Sequence, residues 1–406
     1  MPIPAKSAAK IKIQQALAAG RLSLEAVNAI TDISEALQQT IVNMGGLLGE
    51  SKPDKGISSI VYSGIRKVNH LLTAGVDKLT VSGQQQEPGL SRSDAMHAAV
   101  SALNGVMGDR LLAQNNALVV NMAFRHKGQT LTLDALQALI KQAGGKVLLM
   151  VHGLCMNDVQ WTRNTHNHGE KLAGQFNMLP VYLHYNSGRH ISENGRELAT
   201  LLQTLMNTVK APLSLNILAH SMGGLVSRSA CHYAKQAGQS WLTQLDKMIF
   251  LGTPHHGAPL EKGSNWLGQL LDISPYSSPF VPLINLRSSG VTDLRYGNLC
   301  DEDWQDKDRF SLQGDARQPV PLPAGVTCYT LAASMAKKPA ALRDKLIGDG
   351  LVAIDSALGK HREHRHSLAI AKHRQWLGYN LNHMQLLSDS RVYETLATYL
   401  AEQPQG

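Results

Sequence analysis

Leu215-Asn216-Ile217-Leu218-Ala219-His220-Ser221-Met222-Gly223-Gly224-Leu225-Val226 decides the fold. A short apolar β-type run leads through a serine flanked by small residues into a helical pattern, which is the signature of a nucleophile elbow. Such a turn is strained. The positions two before and two after the serine lie against neighbouring backbone, so both must be small. Ala219 and Gly223 meet that demand, with Ala219 standing where a glycine is the commoner choice. A buried structural serine would account for neither the turn nor the glycines.

Outward from this stretch, from about Leu118 onward, short β-rich runs alternate with helical patterns, as in a parallel sheet with crossover helices. Strands are expected at 118–124, 147–151, 181–185, 215–218, 248–251, 327–331 and 368–371. Several are continuous apolar runs, which fits strands covered by helices on both faces. Helices are expected after Ser192, whose hydroxyl would cap the first turn, from near Ser221, and over 392–400. Between Pro259 and Pro323 the pattern dissolves into Gly, Pro, Ser and Trp, and an irregular stretch of that length reads as a lid.

Upstream, apolar residues recur at helical spacing in three sets, within 30–48, 57–76 and 96–107, the last two separated by a Ser-, Gly- and Gln-rich linker at 82–89. Such stripes are normally buried against the rest of the chain, and a lipid-facing role leaves the same pattern. The 406 residues are therefore expected to divide into an N-terminal helical region, 1–112, and an α/β domain, 113–406, with the lid insertion at about 259–323.

A serine hydroxyl is a weak nucleophile and needs an imidazole base that is itself oriented by a carboxylate. In this chain order the acid precedes the base, and both follow the serine. Gly348-Asp349-Gly350-Leu351-Val352 follows the strand ending near Leu331, so Asp349 is the candidate acid, with Asp344 and Asp355 as rivals. His383, in Asn382-His383-Met384-Gln385-Leu386-Leu387 before the last helix, is the candidate base, with His361, His364, His366 and His373 as rivals. The oxyanion of a tetrahedral intermediate must be met by backbone N–H donors. Met222, directly after the serine, supplies one, and Leu154, in the Val151-His152-Gly153-Leu154 loop, the other.

Composition narrows the alternatives. Hydrophobic residues at 43 % and charged residues at 17 % suit a globular enzyme. Aromatics at 5 % offer no base-stacking platform, and the formal charge of +8 comes from scattered bases rather than a stripe, so nucleic acid is not an expected partner. The dense His361-Arg362-Glu363-His364-Arg365-His366 cluster reads as an exposed loop. Four cysteines without metal-ligand spacing imply neither a disulfide framework nor a zinc site. No signal-peptide pattern and no run of roughly 18 apolar residues is present, so a cytoplasmic setting is expected, with peripheral membrane contact compatible.

At Val-His-Gly-Leu, Ala-His-Ser-Met-Gly-Gly, Leu251-Gly252-Thr253-Pro254-His255-His256-Gly257, Asp349-Gly350-Leu351-Val352 and Asn382-His383, the chain resembles the lipases and esterases of the α/β-hydrolase superfamily. The elbow, with Ala first, is similar to that of small bacterial lipases. Tyr185-Asn186-Ser187-Gly188-Arg189-His190-Ile191-Ser192-Glu193-Asn194-Gly195 and the His-His-Gly segment are similar to bacterial members of the PGAP-type lipase/esterase group. The resemblance implies an α/β-hydrolase fold and hydrolysis of an acyl or lipid ester through an acyl-enzyme, with no cofactor and no metal; His255 and His256 then read as structural or pocket-lining. A thioesterase or acyltransferase would share these residues. An intact triad argues against a scaffolding protein with a vestigial hydrolase domain.

Overall fold

The computed structural model describes residues 92–116, 118–209, 213–257, 287–307, 315–337 and 348–402. The helices expected within 30–48 and 57–76, insertion residues 258–286 and 308–314, and the rival Asp344 lie outside these.

The described helices are α1 (Arg92–Ala113), α2 (Leu133–Gln142), α3 (His168–Phe176), α4 (Ile191–Thr208), α5 (Met222–Gln236), α6 (Ser289–Tyr296), the single turn α7 (Ile354–Ala357) and α8 (Ser390–Ala401). The strands are β1 (Ala123–His126), β2 (Gln129–Thr130), β3 (Lys146–Val151), β4 (Leu179–His184), β5 (Ser214–His220), β6 (Leu245–Leu251), β7 (Thr327–Ser334) and β8 (Gln375–Tyr379). They form one sheet in the order β2-β1-β4-β3-β5-β6-β7-β8. The strands from β3 to β8 are parallel, and β1 runs antiparallel to both its neighbours.

Local chemistry sets the ends of these elements. Lys127 (φ 49°) and Gly128 (φ 75°) form a two-residue turn with both φ positive, which matches the strand twist and closes the β1–β2 hairpin. Side chains of Thr132, Asn167, Ser288 and Asp389 accept from the first-turn N–H groups of α2, α3, α6 and α8. The inner strands do not alternate between polar and apolar because both their faces are covered. Leu148, Met150, Leu218, Ile249, Leu251, Tyr329 and Leu331 pack with Leu172 of α3 and with Val392 and Leu396 of α8. The intervening residues, including Val147, Leu149, Ile217, Met248 and Phe250, point to the opposite face and are buried as well. Helices α4 and α5 lie side by side, so closely that a methyl group on Gly195 would sit 2.5 Å from Ser229 Cβ. The buried Lys247 ammonium donates to Tyr399 O (3.0 Å), Leu400 O (2.7 Å) and Glu402 O, closing the end of α8 with a cation.

Helix α1 joins this unit although the expected boundary placed it in the N-terminal region. The compact unit comprises 86–113 and 119–406, so its limit precedes α1. Leu103, Val106, Met107 and Leu111 are buried, and the helix kinks at Met107 (φ −145°). Backbones meet closely along it. A methyl group on Gly105 would lie 2.8 Å from Cys155 N, one on Gly108 2.7 Å from Asn186 Cγ, and one on Gly188 2.7 Å from Gly108 N. Side chains seal the join, with Asn186 Nδ2 donating to Gly108 O (3.0 Å) and Ser288 Oγ to Gly105 O (2.7 Å).

Six parallel strands from β3 to β8, an antiparallel hairpin on one edge, and a strand–serine–helix junction after β5 make this an α/β-hydrolase fold. Four local expectations need correction. The first strand is 123–126 rather than 118–124, and the last is Gln375–Tyr379 rather than 368–371, because the register with β7 runs from Thr330↔Gln375 to Ser334↔Tyr379. Ser192 does not cap α4. The N-cap is His190, and the Ser192 hydroxyl accepts from Trp304 Nε1 at 3.0 Å. His366 of the expected surface cluster is buried, with its ring 5.1 Å from that of His361. Among the described residues no helix is long and apolar enough to cross a membrane.

Candidate active site

Ser221 stands between β5 and α5 with φ 53° and ψ −125°, a conformation costly for any residue with a side chain. Its surroundings enforce that conformation. Its N–H donates to Leu251 O (2.9 Å) at the end of β6, and its carbonyl accepts from Gly224 N–H (3.1 Å). The small residues around it are demanded by space. A methyl group on Gly223 would come within 2.6 Å of His152 O and closer still to Val151 O, while one on Gly224 would come within 2.6 Å of Thr253 Cγ2.

Asp349 follows β7 in a tight turn. Its Oδ1 accepts from Leu351 N–H (3.0 Å) and Val352 N–H (2.8 Å), which leaves Oδ2 for a third donor. That donor is His383 Nδ1, at 2.7 Å. His383 opens a one-turn 3₁₀ helix, His383–Leu387, after β8, and Asn382 caps the turn by accepting from Met384 and Gln385 N–H. A backbone bond from His383 N–H to Asp349 O (3.1 Å) ties the loops together again. Because a carboxylate accepts only, His383 carries its proton on Nδ1, and its buried Nε2 is a bare acceptor with no hydrogen-bond partner among the described residues. The rival Asp355 lies in α7 and the rival histidines at 361–373 in the β7–β8 connection. None of them takes the place of Asp349 or His383 in this pairing.

Serine and imidazole are brought to the same sheet edge by neighbouring contacts. The ring of His220, the residue before Ser221, lies 4.6 Å from the His383 ring, and His220 Nε2 is 3.4 Å from His383 O. Gly252, next to the carbonyl that holds Ser221, faces His383, where a methyl group would meet Cε1 at 3.0 Å. Gly153 faces the serine from the loop after β3, where a methyl group would sit 3.0 Å from Ser221 Cβ. Leu154 is the next residue along. Its loop is fixed on both sides: Tyr185 OH donates to His152 O (2.7 Å) and stacks on the His152 ring, and Cys155 N–H donates to Ser187 Oγ (3.1 Å). Met222 opens α5, so its N–H has no acceptor within the helix. Neither it nor Leu154 N–H has a hydrogen-bond acceptor among the described residues.

Burial keeps the surrounding histidines uncharged. It holds His152 at about 3, and burial followed by the neighbouring His383 pushes His220 well below its ordinary value. Burial and then Arg228 depress His255 in the same way. His255 packs its ring edge-on against Phe250 and lies 3.4 Å from Arg228. Among the described residues no group of three or more His, Cys, Asp or Glu side chains is arranged to hold a metal ion.

Two described stretches of the expected lid, 287–307 and 315–323, belong to the body of the domain. Asp293 is fully buried and accepts from His190 Nδ1 and Ile191 N–H, both at 2.9 Å, and Arg228 donates to Val320 O at 2.6 Å. Sequence reasoning passed over His220 and His168. The first sits beside the serine in plain view, and the second is marked only by the capping Asn167 before it.

Residues 124–278 match a family described as a domain of unknown function, DUF7379. No curated protein matches the sequence. Solved structures similar to the chain include the mature form of lipase BlEst2 of Bacillus licheniformis, 16 % identical, with 63 % of this chain and 92 % of that one covered and a TM-score of 0.39. They also include lipase B of Aspergillus fumigatus, 11 % identical, covering 93 % and 86 % with a TM-score of 0.42. A third is YbtT, a type II thioesterase of yersiniabactin biosynthesis, 16 % identical, covering 63 % and 92 % with a TM-score of 0.35. The strand order, not these likenesses, carries the fold.

Proposed function

We propose that this chain is a serine hydrolase that cleaves carboxylic esters, of acyl or lipid type, through an acyl-enzyme. One observation carries the reading: a serine held at φ 53° after β5 shares a sheet edge with an imidazole whose Nδ1–H is bonded to a buried carboxylate. Ser221 Oγ attacks the ester carbonyl while His383 Nε2 takes its proton. Asp349 holds the imidazole in the tautomer that leaves Nε2 free and stabilises the imidazolium that forms. The oxyanion is met by the N–H groups of Leu154 and Met222. His383 then protonates the departing alkoxide, and water, activated by the same nitrogen, releases the acid. No step calls on a cofactor.

A labelled fluorophosphonate followed by a panel of acyl esters of rising chain length tests this, with added alcohol separating transfer from hydrolysis. The probe labels Ser221, and Ser221→Ala loses labelling and about 10⁴-fold or more of the hydrolysis. A well-folded Ser221→Ala protein that still turned over would end the reading.

A further inference from the structure

The 3₁₀ turn that delivers His383 is gripped from behind by a pair of histidines outside the triad. His168, the first residue of α3, is buried, and its Nε2 lies 3.1 Å from Leu386 O, the carbonyl three residues beyond His383. A carbonyl only accepts, so His168 carries its proton on Nε2, and its Nδ1 in the neutral ring is an acceptor. The Nδ1 lies 2.6 Å from His166 Nε2, which is therefore the donor. Two imidazoles in series thus run from the half-buried His166 to the backbone of the turn. The arrangement repeats that of Asp349 and His383, with an outer group fixing the tautomer of an inner ring. Tyr393 of α8 holds both rings, stacked on His168 (6.0 Å, 22°) and edge-on to His166 (5.6 Å, 89°).

A turn of five residues has little cooperativity of its own. Its first residue is tied to Asp349 on one side, and at its end Gln385 O accepts from Ser388 N–H (3.1 Å) and Asp389 N–H (2.9 Å), which leaves Leu386 O to find a partner outside the turn. His168 is that partner, a side-chain tie from α3 added to the burial of Leu386 and Leu387. Loss of that tie would let the turn shift about the Asp349 contact and carry Nε2 away from the serine.

We propose that His168 is a positioning residue for the general base, fixing the His383 turn through Leu386 O, with His166 selecting the tautomer that makes this bond. The ring stays neutral under working conditions, since burial first and then the neighbouring His166 hold it at about 4. The inference rests on His383 being the base, as proposed above.

The test uses the whole chain, with active sites titrated by fluorophosphonate and turnover followed on p-nitrophenyl acetate. His168→Leu fills the volume without a donor, and His168→Gln restores an N–H near the position of Nε2. If the bond positions the base, His168→Leu lowers kcat per titrated site about ten- to a hundredfold, the scale of a sub-ångström to ångström misplacement, with KM within about twofold. His168→Gln recovers to within about threefold of the parent. Unchanged kcat per titrated site in His168→Leu overturns the proposal, and so does an equal loss in the Leu and Gln variants, which would mark the ring as filler alone. Should His168→Leu fail to fold, His166→Ala decides: a fall of about threefold or more in kcat at constant KM supports the relay, and parent values refute it. His383→Ala run alongside separates the two levels. If it is inactive while His168→Leu is normal, only the positioning role is lost. If it is fully active, the proposed mechanism is lost, and this inference with it.

Discussion

Replacing Gly223 by Ala puts the elbow under a load that can be worked out from the contacts. The new methyl group would lie 2.6 Å from His152 O and 2.8 Å from Val151 C, against a comfortable contact of roughly 3.5 Å. About 1 Å of relief is needed. Every atom in the way is backbone, and Val151 ends a strand paired on one side with β4 and on the other with β5, so β3 cannot retreat. The first turn of α5 must move instead, taking Ser221 and the Met222 N–H with it. Overpacking of this kind costs about 1–3 kcal/mol, equivalent to several degrees in melting temperature for a domain of this size. An ångström at the nucleophile costs about 10²-fold in rate. Thermal melts and second-order labelling by a fluorophosphonate read both effects. Gly174→Ala is the control: in α3, a methyl group there meets nothing within 4 Å, and an exposed helical Gly→Ala change is neutral or stabilising. A Gly223→Ala protein that melts with the control and labels at the parent rate would refute the reasoning.

Further outcomes follow from the same geometry. Asp349→Asn keeps the shape of the acid turn but can donate to His383 Nδ1, which favours the wrong tautomer, so ester hydrolysis falls by about 10⁴-fold; near-parent turnover in a steady-state assay would show that another carboxylate holds the base. Lys247→Met removes the charged donor from three carbonyls at the end of α8 and costs about 1.5–3 kcal/mol in urea denaturation, with the labelling rate of the folded protein unchanged. Acid sensitivity sets in early. His152 and His256 titrate at about 3 and His220 and His255 well below the ordinary 6.5, so between pH 6.5 and the folded values the unfolded chain binds more protons. Stability is then full above pH 6.5 and is lost as pH falls below it. Each proton taken up gives about 1.4 kcal/mol per pH unit, and equal denaturant midpoints at pH 7 and pH 5 would contradict it.

What could be read in the sequence was what local chemistry dictates. The elbow is legible because the small residues it demands, Ala219 and Gly223, stand two positions either side of the serine, although the atoms that crowd Gly223 belong to Val151 and His152. Asp349 and His383 were reachable because chain order in this fold assigns them to the ends of two late strands, and the geometry pairs them. Strand β8 was misplaced because it is only partly buried, so its residues Gln375 to Tyr379 carry less of the apolar signal than the run at 368–371. The hydroxyl of Ser192 is used by Trp304, 112 residues away, and His168 finds its carbonyl 218 residues away. No periodicity announces bonds of that reach.

Helix α1 has a thermodynamic consequence for the loop that carries Leu154. Gly105 and Gly108 weaken it as a free helix by about 1 kcal/mol each relative to alanine, so its order derives from docking rather than propensity. Its docking partner at Gly105 is the backbone of Cys155, the residue after the Leu154 amide. Opening of one segment therefore removes the contact that holds the other. Amide exchange along 103–109 and along 153–156 is then expected to rise together when a destabilising change is buried in the helix, which would reach the Leu154 amide without touching the sheet.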